Sequence, residues 1–431
     1  MLEKRGLIEG FYGIPRSFEE RMSMIGFLSD IDMNQYVYAP KDDPYHNVKW
    51  REPYPDEKLA EISELASLSK NKGVDFVWAI HPGQNLIDFN LYEEEIEKLF
   101  AKYDSLHGAG VTSFALCMDD IDRDLAYEQR EFHLRLVKDI LKKLKSYENE
   151  KLLFVHPWYN SAWIDAKGEE YFKLFRNLDN LEIMRTGYDV VVPITKTSQE
   201  RFTEISQKEA NIWFNWPVND YLRDRIFMEI FEFYDSSEIN YKSILTNPMN
   251  QAELSKISIY QIGEFAKDPA GFVPIESFKR ALAYIDKKVA SELFIIADSF
   301  FASGVYDRFD DKKYKEDGEI ALAYREKDFE KVKNLLDKKL AAIDSYFKNY
   351  TNDKLYEEVR SFFTSLSYLS EAVKAAMDKD FKKASDFYDK CRDCRVKIYK
   401  EFSLDTIEER QVKTSRVLMK IYEELTEEIE K

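Results

Sequence analysis

Two adjacent acids close an apolar run: Ser113-Phe114-Ala115-Leu116-Cys117-Met118 leads straight into Asp119-Asp120-Ile121-Asp122. A run this short, entered from Gly108-Ala109-Gly110, predicts a buried strand whose C-terminal end emerges at a surface or cleft. Neighbouring strand residues face opposite sides, so Asp119 and Asp120 converge on one ligand only if the strand ends there and the backbone turns. Adjacent carboxylates repel, and one of two such groups holds its proton to a higher pH. A site that needs one carboxylate and one carboxylic acid together can be made this way, and glycoside hydrolysis is a reaction with that need. Three other readings stand beside it: a cap for the helix after Arg123, a solvated acidic turn, or a divalent-metal site made of Asp119, Asp120 and Asp122, since magnesium favours carboxylate oxygens. His81 and His156 fall on other strands without ligand spacing, so no metal or cofactor is expected.

The elements that must position these acids are legible as alternating short apolar runs and amphipathic stretches over roughly the first 265 residues, the pattern of repeated βα units. Eight strands are predicted: Gly6 to Gly10, Gln35 to Ala39, Asp75 to Ile80, Ser113 to Met118, Leu152 to Val155, Leu181 to Met184, Asn211 to Phe214 and Ser243 to Thr246. Helices are predicted between them, including Ser17 to Ser29 with Ser17 as cap, Asp56 to Asn71, Leu91 to Leu106 and Glu128 to Tyr147. Eight strands close a (β/α)8 barrel of the TIM type, and barrel sites are built where the strands end. Polar, aromatic and turn-forming residues follow the strands here, among them Gly10-Phe11-Tyr12-Gly13, Pro40-Lys41-Asp42-Asp43, His81-Pro82-Gly83, His156-Pro157-Trp158-Tyr159, Arg185-Thr186-Gly187, Asn215-Trp216-Pro217 and Thr246-Asn247-Pro248.

The expected catalytic barrel is residues 1–267, followed over 268–431 by an α-helical bundle domain with little strand signal. Its predicted helices are Glu276 to Phe301, Glu319 to Tyr350, Asp353 to Met377, Phe381 to Phe402 and about Leu404 to Lys431. Cys391 and Cys394 are read as coincidence on a helix, since no second pair completes a zinc site. With 63 basic against 80 acidic residues the net charge is -17, which argues against nucleic acid or an anionic membrane as partner. No stretch reaches the roughly 18 apolar residues of a membrane span. The first residues, Met1-Leu2-Glu3-Lys4-Arg5, lead into a strand without a signal segment, and a cytoplasmic protein is expected.

With the rim residues in view, the first two-thirds of the chain resembles glycoside hydrolase family 84, the β-N-acetylglucosaminidases that include the protein O-GlcNAcases. The resemblance rests on Glu9-Gly10-Phe11-Tyr12-Gly13, Tyr38-Ala39-Pro40-Lys41-Asp42-Asp43, Met118-Asp119-Asp120-Ile121-Asp122, Ile212-Trp213-Phe214-Asn215 with Asn219-Asp220-Tyr221, and Thr246-Asn247-Pro248, in order and at barrel spacing. It implies a retaining mechanism in which the substrate's 2-acetamido group is the nucleophile and closes to an oxazoline. Asp119 would hold the acetamide and Asp120 would act as acid and then base. Gly10 would admit the sugar to the first strand, Lys41 would bond a ring hydroxyl, Tyr159 would reach the anomeric centre or the acetamide oxygen, Asn215 would assist near the acetamide and the leaving group, Trp213 would help wall the acetyl pocket, and Thr186 is a further substrate-binding candidate. Asp220 and Asn247 would bind the 4- and 6-hydroxyls.

Two positions depart from the family pattern: Arg185 stands where an aromatic residue is expected, and Phe214 interrupts the usual Trp-Asp-Asn. The small α/β domain that precedes the barrel in many bacterial relatives is not expected. The implied partner is a glycoconjugate bearing terminal β-linked GlcNAc, with protein, peptide and oligosaccharide aglycones all open, and the helical segment is a candidate for homodimer formation. The competing class is a sugar-binding scaffold with an inactive barrel, against which the intact Asp119-Asp120 pair with Lys41 and Asp220 counts.

Overall fold

The computed structural model describes residues 1–83, 86–149, 151–234, 239–399 and 406–427. The chain divides into two compact units whose segments alternate along the sequence. The first comprises Met1–Trp216, Tyr234–Pro248 and Ile262–Gly271, and the second Pro217–Phe233, Met249–Gln261 and Phe272–Lys431.

In the first unit, β1 (Lys4–Glu9), β2 (Gln35–Tyr38), β3 (Asp75–Ile80), β4 (Ser113–Cys117), β5 (Leu152–Val155), β6 (Leu181–Arg185), β7 (Ala210–Phe214) and β8 (Tyr241–Thr246) form a closed barrel in chain order. All its pairs are parallel, and β1 pairs with both β2 and β8. Alternation sorts each strand between two faces. Ile8, Val37, Ala39, Val77, Ala79, Ala115, Cys117, Leu153, Val155, Met184, Trp213 and Leu245 form one buried cluster. The helices begin where capping chemistry predicts: Ser17 caps Phe18–Asp30 in a capping box with Glu20, and Asp165 caps Ala166–Phe175.

The second unit is mainly helical. Along Asp353–Met377 the buried residues Leu355, Val359, Phe362, Phe363, Leu366, Leu369 and Val373 recur every three or four positions, the period of an apolar helix face. Three predicted helices are interrupted. Glu276 to Phe301 is broken at Asp286, whose carboxylate accepts from the backbone of Lys288, Thr351 and Asn352. Glu319 to Tyr350 is broken by Lys327 in the left-handed region (φ 59°) and by Asp328, which caps the next helix. The helix predicted to reach Phe402 stops at Asp393. Arg395–Tyr399 (β9) follows it and pairs antiparallel with Ile407–Gln411 (β10). The last helix therefore starts at Arg416 rather than near Leu404, with Ser415 Oγ accepting from Leu418 N at 3.0 Å; Leu404 lies outside the described residues. Among the described residues no helix is long and apolar enough to cross a membrane.

At the end of β1 a buried ion pair fixes the first βα turn. Glu9 accepts from Arg21 Nε at 3.0 Å and Nη2 at 2.8 Å and from Tyr36 Oη at 2.5 Å. Burial pushes the Glu9 carboxyl up, but the Arg21 guanidinium, with Arg16 and the Tyr36 hydroxyl, more than offsets this and holds it below its ordinary value. A group lowered in this way stabilises the fold above the ordinary glutamate pKa, and that contribution is lost as pH falls through the lowered value. Arg21→Met should cost about 3–5 kcal/mol in urea unfolding at neutral pH, because it removes the bidentate counter-charge of a buried carboxylate. The loss should shrink on acidification as Glu9 takes up a proton; a pH-independent loss would mean that the charge is not what Arg21 supplies.

Candidate active site

The rim of the barrel is assembled from the chain just past each strand. After β2, Ala39-Pro40-Lys41-Asp42-Asp43 turns sharply, and its three charged residues divide their tasks. Asp43 Oδ2 accepts from Tyr38 Oη at 2.8 Å and Tyr54 Oη at 2.7 Å, and its Oδ1 accepts from Tyr45 N at 2.9 Å. Asp42 Oδ2 accepts from Gly13 N at 3.2 Å, joining the loop after β1 to the loop after β2. Asn47 Nδ2 donates to Lys41 O at 2.7 Å. The loop is thus pinned at its backbone and at two acids, and the Lys41 side chain is left to reach inward.

Lys41 Nζ donates to Asp119 Oδ2 at 2.9 Å and lies 3.9 Å from Asp120 Oδ2. Burial by itself drives Lys41 toward neutrality, but Asp119, with Tyr12 and Asp120, overcomes it and raises the lysine pKa. Burial likewise pushes Asp119 up, and the Lys41 ammonium brings it well below the ordinary carboxylate range. Asp119 is therefore an anion held in a dry place by one cation. Its second oxygen, Oδ1, is buried and has no hydrogen-bond partner among the described residues, although the His81 ring nitrogen Nε2 lies 3.4 Å away.

The backbone turns where the sequence requires it. Asp120 adopts φ 56°, in the left-handed region that costs a non-glycine residue about 1–2 kcal/mol, and this brings the carboxylate of the next residue to the same rim. The Asp120 side chain is 35% exposed against 8% for Asp119, so it is the one open to a ligand and to water. Tyr12 Oη donates to Asp120 Oδ2 at 3.0 Å, and Tyr159 Oη donates to Oδ1 at 3.2 Å. Asp122, the third acid of the run, is spent as a cap, accepting from Leu125 N at 2.9 Å. Among the described residues no group of three His, Cys, Asp or Glu side chains is placed to hold a metal ion.

The opposite wall joins the last strands to the first. Trp213 Nε1 donates to Asn215 Oδ1 at 2.8 Å, and Asn247 Nδ2 donates to the same oxygen at 3.0 Å. Asn215 Nδ2 donates to Val190 O at 2.9 Å, and Asn247 Oδ1 accepts from Gly10 N at 3.3 Å. Gly10 is required by space: a Cβ there would lie 2.4 Å from Trp213 Cζ2. Thr186 is engaged with backbone, its N donating to Tyr159 O at 2.7 Å and its hydroxyl 3.0 Å from Asp189 O. It therefore fixes the turn that carries Tyr159. Asp220 belongs to the second unit, where its main-chain carbonyl accepts from Arg223 Nε at 2.8 Å.

Both departures from the expected pattern face away from this site. Met184 and Trp213 belong to the inner cluster, so Arg185 and Phe214, one residue on, point to the other face. Arg185 is fully buried over the Phe202 ring at 4.5 Å, bonded to Ser161 Oγ and Ser198 O, and burial lowers its pKa to about 9. Tyr12 and His81 were not singled out by sequence reasoning as site residues. Both lay in turn segments flagged at strand ends, but nothing in the sequence tells which side chain of a turn faces in.

In comparison with known proteins, residues 5–298 match the family model for beta-N-acetylglucosaminidase. The protein O-GlcNAcases of Rattus norvegicus and Mus musculus are each 30% identical to the chain over 281 residues, which is 61% of this chain and 30% of theirs. The match thus spans less than a third of those curated relatives. Among solved structures, CpGH84D superposes with a TM-score of 0.83 at 28% identity, covering 99% of this chain and 75% of that one. A mutant O-GlcNAc hydrolase from Thermobaculum terrenum has a TM-score of 0.78 at 21% identity, over 98% of this chain and 94% of that one, a likeness of fold.

The Lys41 contact carries a test that needs no substrate. Lys41→Met leaves Asp119 buried without its cation, so the Asp119 carboxyl, followed by carbon NMR, should titrate above the ordinary aspartate value instead of below it. An Asp119 that stays ionised through mildly acidic pH in the variant would show that Lys41 is not its counter-charge.

Proposed function

Since the chain belongs to glycoside hydrolase family 84, the β-N-acetylglucosaminidase family, we propose that it is a retaining β-N-acetylglucosaminidase that removes terminal β-linked GlcNAc with the substrate's acetamide as nucleophile. The observation that carries this reading is the state of Asp119. One oxygen is held by Lys41 while the other is buried and, among the described residues, meets no hydrogen-bond partner. Such an oxygen is costly to bury unless a donor arrives, and an acetamide N–H is a donor of the required kind.

In the proposed cycle, Asp119 accepts the acetamide N–H and aims the carbonyl oxygen at the anomeric carbon. That oxygen forms a bond to the anomeric carbon as the glycosidic bond breaks, and the departing oxygen takes the proton of Asp120. The anion of Asp119 balances the positive charge of the oxazolinium ring that results. Asp120, now a carboxylate, takes a proton from the water that opens the ring, which restores both the acetamide and the acid. Its greater exposure fits a group that must meet first a leaving group and then water. Intramolecular attack replaces a bimolecular one, which lowers the barrier by several kcal/mol. Lys41 keeps one N–H beyond its bonds to Asp119 and His81 for a sugar hydroxyl. The Trp213 face beside Gly10, closed by Asn215, suits a small acetyl group.

The names of the rat and mouse relatives refer to O-GlcNAc on proteins, and we take a GlcNAc-modified protein as the first natural substrate class to try. Hydrolysis of an aryl β-N-acetylglucosaminide, unchanged by chelator, is the expected result; no hydrolysis would reject the reading, and loss with chelator would turn it toward a metal enzyme. Modified peptides set beside oligosaccharides then identify the aglycone.

Asp120→Asn should slow substrates with poor leaving groups by about a hundredfold or more while sparing activated aryl glycosides, which depart without a proton. Equal losses on both would remove Asp120 from the acid role. Asp119→Ala should slow both classes together, and a fluorinated acetamide should slow the wild type because its carbonyl oxygen is a poorer nucleophile. Trapping of a covalent sugar on either aspartate would replace the acetamide with a protein nucleophile.

A further inference from the structure

His81 is the first residue past β3 and is fully buried. Its ring lies between the two groups on which the proposed mechanism turns: Nδ1 is 3.2 Å from Lys41 Nζ, and Nε2 is 3.1 Å from the main-chain oxygen of Asp119. These contacts assign the tautomer. An ammonium only donates and a carbonyl only accepts, so Nδ1 must be the bare nitrogen and Nε2 must carry the hydrogen. Burial, and then the adjacent Lys41 charge, hold the ring's pKa below its ordinary value, consistent with a neutral imidazole.

The ring is itself held in place. His81 N donates to His46 O at 2.8 Å, and the His46 ring is anchored by Nδ1 at 2.6 Å from Ala79 O. The loop after β3 closes over the contact at Gly83, where a Cβ would come within 3.1 Å of both His81 Nε2 and Asp119 O. A side chain there would press on the contact between the histidine and Asp119.

We propose that His81 is a positioning residue. Its bare Nδ1 fixes the rotation of the Lys41 ammonium, and its Nε2–H fixes the Asp119 main chain just before the turn into Asp120, so that Asp119 meets Lys41 through one oxygen and leaves the other for the substrate. This rests on the reading of Asp119 as the acetamide's partner. Without His81 the ammonium would be free to turn and take both oxygens of Asp119, closing the acceptor that the substrate needs.

The test uses the full chain with His81→Phe, His81→Asn and His81→Gln. Phenylalanine keeps the bulk and removes both contacts, asparagine keeps an acceptor near Nδ1, and glutamine keeps a donor near Nε2. His81→Phe should lower kcat about a hundredfold, the size of effect that misplacement by an ångström produces, with KM changed far less. The loss should be the same for activated and poor leaving groups, since it acts through Asp119, whereas Asp120→Asn separates the two classes. His81→Asn should recover most of the rate. A folded His81→Phe with wild-type kcat overturns the inference, as does an asparagine variant no better than phenylalanine. If His81→Phe does not fold, the remaining pair decides: asparagine holding while glutamine falls supports the role, and both at the wild-type rate overturns it. In nitrogen NMR of the wild type, the His81 ring should show a neutral Nε2–H tautomer across neutral pH; a protonated Nδ1 overturns the arrangement whatever the activity. A wild type that hydrolyses no β-GlcNAc rejects the proposed function, and the nitrogen spectrum still judges His81 independently.

Discussion

The site depends on keeping one carboxylate ionised in a dry place. Moving an isolated anion of this size out of water costs several kcal/mol even after the protein relaxes, and Asp119 meets that cost through one ammonium at 2.9 Å. The cation arrives from another strand, so its loop must be rigid. That accounts for the number of bonds placed on residues that touch no ligand: Asp43 gripping two phenols and a backbone amide, Asp42 tying the loop to the one before it, and Asn47 holding the Lys41 carbonyl. A buried pair of this kind adds little to stability compared with a well-packed apolar substitute. Its value, on the proposed mechanism, is that one oxygen of Asp119 is left for a donor on the substrate.

The backbone at Asp120 serves the same end. An ordinary strand would send consecutive side chains to opposite faces, and two acids on opposite faces cannot act on one bond. Ending the strand at Cys117 and turning into the left-handed region at Asp120 overcomes this at a small local cost in strain. The two residues then differ in environment although they are neighbours: one is sealed against a lysine and the other is exposed between two phenols.

The barrel was largely legible because its signal is local: Asp75 to Ile80 and Leu152 to Val155 were bounded correctly to the residue, and the other strands to within two. Lys41, Asp119 and Asp120 stood out because charge directly after an apolar run has no packing explanation. Asp122 looked the same in sequence and is a helix cap, since what separates it from its neighbours is the direction of one backbone turn. Tyr12 and His81 were hidden for a related reason, their roles being fixed by partners 108 residues away for Tyr12 and 40 and 38 residues away for His81. In the second unit, the helix breaks at Asp286 and Lys327 escaped the periodicity because the residues on both sides keep helical spacing. The short alternation Arg395-Val396-Lys397-Ile398-Tyr399 was too brief to outweigh the helical context.

The wall in which Gly10, Asn215 and Asn247 are bonded together also marks the seam of the barrel, where the first strand meets the last. The contact from Gly10 N to Asn247 Oδ1 spans 237 residues of sequence. Contacts between such distant segments form late, after loop closure has been met. During synthesis, when the chain emerges N-terminal end first, Asp119 and Lys41 are made before the strand that completes their surroundings. Half-made chains therefore carry Lys41 and Asp119 without the wall of Gly10, Asn215 and Asn247, which would be completed in a single step as the ring of strands shuts.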